Sequence, residues 1–213
     1  MRISLSQVVP LVQPELAGKA NCAWGSETQL DSGSFYLVKA PSGTGKSTLI
    51  SYLYGTRNDF RGRISIDGND YKTISLKQWS VLRQQKLSVV FQDMRLFPQL
   101  TALENIQLKN QLTSNKSVEE IKSFAAQLGI ENKLGSLCAH LSLGQQQRVA
   151  ILRALCQPFA FLLLDEPFSH LDDANIRMAC ELLKKECEKQ NAGLLLTSLD
   201  SNYYFDHHHT ISV

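Results

Sequence analysis

Apolar positions fall in short runs whose spacing changes along the chain. Ile3 to Val9 alternates weakly between apolar and polar residues, the period of a strand with one face covered. Ser34 to Ala40 (SFYLVKA) is apolar and partly β-branched or aromatic, as expected of a buried strand. It runs into Pro41-Ser42-Gly43-Thr44-Gly45-Lys46-Ser47, and a helix is expected from about Ser47 to Tyr54. Arg63 to Ile66 predicts a strand stopped by an Asp67-Gly68 turn, and Leu87 to Phe91 another short buried strand. From about Met94 the pattern becomes helical: Thr101 with Glu104, and Ser117 with Glu120, have the spacing of a capping box. Phe161 to Leu164 returns to a buried strand, ending on Asp165-Glu166. Asp172 to Lys189 predicts a helix with Ile176, Ala179 and Leu183 on one face, followed by strands at Gly193–Thr197 and Thr210–Val213.

Strands alternating with helices imply an α/β fold with a mainly parallel sheet. The expected organisation is one domain, with a core from 1–93 and 156–213 and an inserted helical subdomain over about 94–155. No internal repeat or low-complexity segment interrupts this. Of the 213 residues, 43% are hydrophobic and 20% charged, an ordinary globular composition, and a net charge of +2 gives no support for nucleic-acid binding. Five cysteines, odd in number and not closely paired, read as buried thiols of a cytosolic protein. The N-terminus lacks the apolar core and cleavage site of a signal peptide, and no apolar run approaches the roughly 18 residues of a spanning helix. Any membrane role is therefore expected to come through a partner chain. His207-His208-His209 reads as part of a C-terminal strand, with a metal site or a purification tag as alternatives.

The strongest local chemistry is the glycine loop. Backbone N–H groups can turn onto phosphate oxygens only where side chains keep clear, and the following helix adds its positive end. Ser42, Gly43, Thr44, Gly45, Lys46, Ser47 and Thr48 are thus expected to bind a nucleotide. Lys46 would reach the β- and γ-phosphates, Ser47 would place its hydroxyl on Mg²⁺, and Thr48 would lie next to the α-phosphate. Ala40 stands where the usual pattern begins with glycine, a change of one methyl. The second signal is the carboxylate pair at the end of Phe161–Leu164. Ligands sit at the carboxyl ends of parallel strands, so Asp165 is expected in the Mg²⁺ shell and Glu166 as the base that orients and deprotonates the attacking water.

Leu141-Ser142-Leu143-Gly144-Gln145-Gln146-Gln147-Arg148 resembles the signature of ABC ATPases, usually Leu-Ser-Gly-Gly-Gln, and Gln145 stands 20 positions ahead of Asp165. Ser142 can cap a helix there, and Gly144 lets a phosphate approach its N-terminus. Gln92 resembles the family's Q-loop glutamine, which senses Mg²⁺ and the γ-phosphate. Phe168-Ser169-His170-Leu171-Asp172 resembles the D-loop that crosses the dimer interface through Ser169 and Asp172. Importer-type and lipoprotein- or cell-division-associated cassettes look most similar. The resemblance covers essentially the whole chain and implies an ABC ATPase fold: a RecA-like, P-loop parallel-sheet core with a helical insertion. It also implies Mg²⁺ held by Ser47, Gln92 and Asp165, and two subunits, identical or paired, packed head to tail. Each ATP would lie between the glycine loop of one subunit and Ser142, Leu143, Gly144 and Gln145 of the other. Membrane-spanning permease subunits would dock beside Gln92 and Phe97-Pro98, leaving the chain cytoplasmic and peripheral to the cell membrane.

Measured against that family, two features are missing. Leu199 stands where the switch histidine is expected, in Leu196-Thr197-Ser198-Leu199-Asp200. The aromatic that stacks on adenine is expected near Gln13 to Ala17, yet no aromatic residue precedes Trp24. Base recognition would then rest on apolar contacts such as Leu11 or Leu16. The primary expectation is an ATP-hydrolysing transporter subunit, and the alternative is a switch module of the same fold with weak turnover. Chromosome or DNA-repair ATPases are disfavoured by the lack of a long heptad insertion and a basic stripe, and nucleoside kinases by the signature segment.

Overall fold

Alternation along the buried strands decides the architecture. The computed structural model describes residues 1–16, 22–199 and 203–213; Ala17 and Asp200, named above, lie outside the described residues. The strands in chain order are β1 (Arg2–Pro10), β2 (Glu27–Asp31), β3 (Phe35–Lys39), β4 (Phe60–Ile66), β5 (Asn69–Asp70), β6 (Leu87–Val90), β7 (Phe161–Asp165), β8 (Gly193–Ser198) and β9 (His209–Ser212). The α-helices are α1 (Lys46–Leu53), α2 (Leu76–Gln85), α3 (Ala102–Asn110), α4 (Val118–Gln127), α5 (Leu143–Leu155) and α6 (Asp173–Lys189).

Five strands form a parallel sheet in the order β6-β7-β8-β3-β9. Successive side chains of its inner strands enter two separate cores, as a period of two requires. Leu162, Leu164, Leu194 and Leu196 pack with Ile106, Leu152 and Leu183 from α3, α5 and α6. Phe161, Leu163 and Leu195 pack instead with Leu49 and Leu53 of α1 and with Ile3 and Leu5 of β1. Covering both faces is what allows these strands to be apolar throughout.

The opening strand and the Arg63–Ile66 strand do not join the parallel sheet. They lie in a four-stranded sheet, β2-β1-β4-β5, whose pairings are all antiparallel. Each exposes one face, which is why β1 alternates where β7 does not. Two elements are additions to the sequence pattern. In β2 only Leu30 is buried, and in α2 only Trp79, while Leu76 faces solvent, so neither carries an apolar stripe. The helix start at α2 is nevertheless written in a capping box, Ser75 with Gln78.

Between β6 and β7 the chain forms α3, α4 and α5. Each opens on a full capping box: Thr101 with Glu104, Ser117 with Glu120, and Ser142 with Gln145. All five cysteines are free and buried. The histidine run enters β9: the ring of His208 stacks on Phe35 at 5.6 Å and that of His209 on Tyr36 at 5.0 Å. These contacts make it part of the native sheet edge.

One buried charge pair joins the helical segment to α6. Lys116 Nζ donates to Glu186 Oε2 at 2.7 Å, with side chains only 4% and 2% exposed. Asn110 holds the Lys116 backbone through both its amide groups. Lys116 Nζ also lies 3.7 Å from Glu120 Oε1, but that carboxylate is half-exposed, so removing Glu186 leaves the buried lysine poorly compensated. Glu186→Ala should therefore cost about 3–5 kcal/mol in a urea titration, and the double replacement Lys116→Met with Glu186→Leu should recover most of it. Equal losses for the single and double variants would contradict this.

Candidate active site

After β3 the chain turns through Pro41 to Gly45 and enters α1. Gly43 and Gly45 hold φ of 81° and 94°, left-handed values that strain any residue with a side chain. The loop is buttressed from behind: Trp24 Nε1 donates to Thr44 O at 3.2 Å, and a Cβ at Gly45 would meet Trp24 at 3.1 Å and Leu16 at 3.3 Å. From the outer side the Gln13 amide donates to Gly43 O at 3.2 Å. Leu16 is therefore a support for the loop, and of the two apolar base contacts expected from the sequence only Leu11 is exposed.

Lys46 opens α1 and is almost wholly buried. Its Nζ donates to Ala40 O at 2.8 Å and Pro41 O at 3.1 Å, and stands 3.2 Å from Glu166 Oε1. Glu166 follows the end of β7, across β8 from the loop, with φ of 45°. A glutamate in that region is strained. The neighbours that hold it are explicit: its N–H donates to Thr197 Oγ1 at 3.0 Å, and its Oε2 accepts from Gln92 Nε2 at 3.2 Å. Thr197 Oγ1 also donates to Asp165 Oδ1 at 2.9 Å, so one hydroxyl fixes both acidic residues.

Burial pushes the Asp165 carboxyl above the usual carboxylate range; the Ser47 and Thr197 hydroxyls oppose this, the Glu166 charge adds to it, and Lys46 opposes it. Gln13, Ser42, Gly43, Lys46, Ser47 and Glu166 border a cavity of about 200 Å³, which Gly45, Thr48 and Gln92 also line. The left-handed glycines, the lysine and the amino end of α1 make it a cradle for phosphates. The Ser47 hydroxyl, the Asp165 carboxylate and the Gln92 amide oxygen are hard donors of the kind a small divalent cation takes.

Ser142, Leu143, Gly144 and Gln145 do not line this cavity. They form the start of α5, where Ser142 Oγ accepts from Gln145 N at 3.3 Å and Gln145 Oε1 accepts from Ser142 N at 3.0 Å. Leu143 is exposed. Gly144 has a reason within its own chain to lack a side chain: a Cβ would stand 2.7 Å from His170 O. Ser169 Oγ lies 3.0 Å from His170 Nδ1, and Asp172 caps α6 by accepting from Asn175 N at 2.8 Å.

Three residues outside the sequence-derived set organise this surface. The buried Gln147 accepts from His170 N at 2.9 Å and donates to Ser169 Oγ at 3.3 Å and Glu166 O at 3.4 Å. Arg148 donates to Gly144 O at 3.1 Å and Asn175 Oδ1 at 2.8 Å. Thr197 is the third. Gln147 and Arg148 stood within the quoted signature segment and Thr197 within a predicted strand, but residue type alone does not say which polar side chains turn inward. Leu199 lies just past β8 and is 55% exposed.

A lysine-bearing glycine loop between a buried strand and a helix, with a fixed carboxylate pair across the sheet, defines a P-loop nucleotide-hydrolysing protein. The sequence profile of the ABC transporter family matches residues 25–169, and the chain belongs to that family. It is similar to the thiamine import ATP-binding protein ThiQ of Shigella flexneri serotype 5b (strain 8401), 36% identical over 172 residues that span 79% of this chain and 72% of ThiQ. It is also similar to the lipoprotein-releasing system ATP-binding protein LolD of Legionella pneumophila (strain Paris), 34% identical over 179 residues, 83% of this chain and 79% of LolD. Among solved structures, the dimeric bacterial ABC transporter cassette MJ0796 superposes with a TM-score of 0.80 at 28% identity, covering 93% of this chain and 88% of that one. A post-hydrolysis state of MJ0796 bound to ADP and Pi gives a TM-score of 0.78 at 28% identity, with 93% and 88% covered. The chain is an ATP-binding, ATP-hydrolysing subunit that energises transport.

The raised Asp165 pKa fixes a sign. The folded state binds this proton more tightly than the unfolded chain, so its contribution to stability is greatest at low pH and declines as pH rises from the unfolded carboxyl value, about 3.9, through the folded one. Asp165→Asn, which cannot ionise, should gain in Tm relative to the parent as pH is raised from 4 to 7. Thermal melts across that range in the absence of nucleotide check it; a constant difference would contradict the burial argument.

Proposed function

We propose that this chain is one half of a two-subunit ATP-driven clamp that works on a separate membrane-spanning permease. In this reading Glu166 is the base that orients and deprotonates the attacking water, and Gln92 positions that water and reports the γ-phosphate to the helical segment 94–155. Ser42, Gly43, Thr44, Gly45 and Thr48 cradle the triphosphate and Lys46 neutralises its β- and γ-phosphates. Ser47, Asp165 and Gln92 would hold Mg²⁺, which when bound supplies charge neutralisation at the phosphates. The observation that carries the reading is the convergence of Lys46 and Gln92 on the Glu166 carboxylate, each at 3.2 Å.

The second copy or paired subunit would present Ser142, Leu143, Gly144 and Gln145 to the γ-phosphate, with Ser169 and Asp172 at the seam. Two features support this. The signature segment stands outside the chain's own phosphate cavity, and Gln147 links the backbone of Glu166 to Ser169 and His170. For the permease, the supporting feature is the groove beside Gln92. Phe97, 55% exposed, stands on a loop that Asn105 grips through hydrogen bonds to its N–H at 2.8 Å and its C=O at 3.0 Å. Arg153 donates to the carbonyls of Arg95 and Met94, and Leu108 and Leu112 leave apolar surface open nearby. No described helix is long and apolar enough to cross a membrane. In this reading the chain sits on the cytoplasmic side and reaches the membrane through that partner.

The exposed Leu199 favours slow turnover, since an alkyl side chain can neither hydrogen-bond a γ-phosphate nor hold water. Within that activity, the second reading is a subunit that hydrolyses slowly and works chiefly as an ATP-dependent switch. Glu166→Gln should abolish hydrolysis, measured as phosphate release, and preserve ATP-dependent dimerisation in sizing chromatography; turnover at the parent rate would overturn the base assignment. Leu199→His should raise kcat by about tenfold or more, within the range of general acid–base and positioning effects. No change in kcat would mean that position 199 plays no part in the chemical step.

A further inference from the structure

The outer edge of the parallel sheet is held by few buried side chains. In that sheet β9 pairs with β3 alone, and His209, Thr210 and Ser212 face solvent. Its attachment rests on backbone pairing, ring contacts and the buried Val213. His208 stands just before β9 and ties it to Phe35 in both directions. His208 N donates to Phe35 O at 2.9 Å, and Phe35 N donates to His208 Nδ1 at 3.2 Å. The second bond decides the state of the ring: Nδ1 accepts only while it carries no proton, so the docked imidazole is neutral with its hydrogen on Nε2. His208 is open to solvent, so a proton reaches it directly. At the far end of β9, Ser212 O accepts from Ala23 N at 2.8 Å. Trp24 follows Ala23, and its indole donates to Thr44 O and backs Gly45. One strand thus connects an imidazole at the start of β3 to the wall behind the glycine loop at its end.

We propose that His208 is a proton-sensitive latch: a proton on Nδ1 unfastens β9 from Phe35, withdraws the support that Ser212 gives Ala23 and Trp24, and loosens the glycine loop. Its consequence for ligand binding rests on the nucleotide-binding reading of that loop. A protonated ring sets Nδ1–H against the Phe35 N–H, donor against donor, and both groups then need water. The docked strand excludes this proton and the undocked strand accepts it. Docking is therefore complete at high pH and declines as pH falls through the range in which imidazoles titrate. Lys184 and Glu188 of α6 and Asp206 of the latch's own segment line one cavity of about 380 Å³ with His208, beside Cys187 and Asn191. Burial pushes the Cys187 thiol up, so it stays uncharged in this range. Lys184 pairs with Asp206 at 3.5 Å, which leaves Glu188 as the charge that favours a proton on the ring. His207 and His209 flank it, against Phe205 and Tyr36, and a charge on either opposes one on His208. The Phe35 side of β3 brings no titratable group to the ring.

The test is amide hydrogen exchange of the nucleotide-free full chain from about pH 8 to about pH 5.5, corrected for the intrinsic pH dependence of exchange. It is read over β9 and over residues 41–48, with β7 as the measure of global opening, in the parent and in His208→Asn, His208→Ala and His209→Asn. Asparagine offers an oxygen where Nδ1 stands and does not titrate. In the parent and in His209→Asn, corrected exchange of β9 should be about tenfold faster at the lower pH, with a smaller rise over 41–48 and none in β7. His208→Asn should show no such change, and His208→Ala should exchange fast at both pH values. Exchange of β9 that is independent of pH in the parent, a pH response that survives in His208→Asn, or a β9 that opens while 41–48 stays protected would overturn the latch. Calorimetry with Mg·ADP separates the two readings. On acidification the parent should lose several-fold more affinity than His208→Asn, and equal losses count against the latch. No binding at the higher pH would instead overturn the nucleotide-binding reading and leave the exchange results standing.

Discussion

The ion pair between Lys46 and Glu166 joins the two halves of the chemistry, and the geometry of each half is fixed by something else. Lys46 is held by the carbonyls of Ala40 and Pro41, so its position is set by the glycine loop. Glu166 is held in a left-handed conformation by the Thr197 hydroxyl on its N–H and by Gln147 on its carbonyl. Neither charge can relocate without disturbing a strand end. A triphosphate entering the loop must compete with the Glu166 carboxylate for the lysine. On the proposed reading, that exchange would free the carboxylate to act on a water at the γ-phosphate. The pair therefore keeps a buried cation compensated before substrate arrives, in a place where an uncompensated one would be costly.

The surface built by α5 and the loop after β7 depends on a second constraint, the contact between Gly144 and the His170 carbonyl. A methyl group at 2.7 Å from an oxygen cannot be accommodated without moving one backbone from the other. Gln147 then bridges Ser169, His170 and Glu166, and Arg148 bridges Gly144 and Asn175. Consequently the helix start carrying Ser142 and the loop carrying Ser169 form one unit. Glu166 meets that unit in two ways, along the chain through Pro167 and Phe168 and through the Gln147 side chain.

What could be read from the sequence follows from how each feature is encoded. Strands β3, β7 and β8 are buried on both faces, so their composition alone marks them. The helices α3, α4 and α5 announce their starts through side chains that bond their own backbone three residues away, a strictly local rule. The glycine loop and the Asp165-Glu166 pair are likewise contiguous. By contrast, β2 and α2 bury one side chain each, Leu30 and Trp79, and carry no period to detect. The assignment of β1 and β4 to a separate antiparallel sheet depends on pairing across about sixty residues, which alternation cannot specify. Thr197, Gln147 and Arg148 each reach partners 19 to 32 positions distant, so these roles exist only once the chain is folded.

Leu11, an expected base contact, and Leu199, which stands where the switch histidine is expected, share a structural property: both are largely exposed. Exchanging an exposed side chain leaves the packing around it intact, so the fold places almost no demand on what stands there. The residues that carry the phosphate chemistry are in the opposite situation. Lys46, Asp165 and Thr197 are buried and hydrogen-bonded to one another's neighbours, and altering any of them would leave a polar group stranded. On the proposed reading, base preference and turnover rate could therefore change at exposed positions while the phosphate loop stays fixed by the interior. Those properties would then be set by side chains that stability does not constrain, which would leave them free to differ among proteins with the same buried machinery.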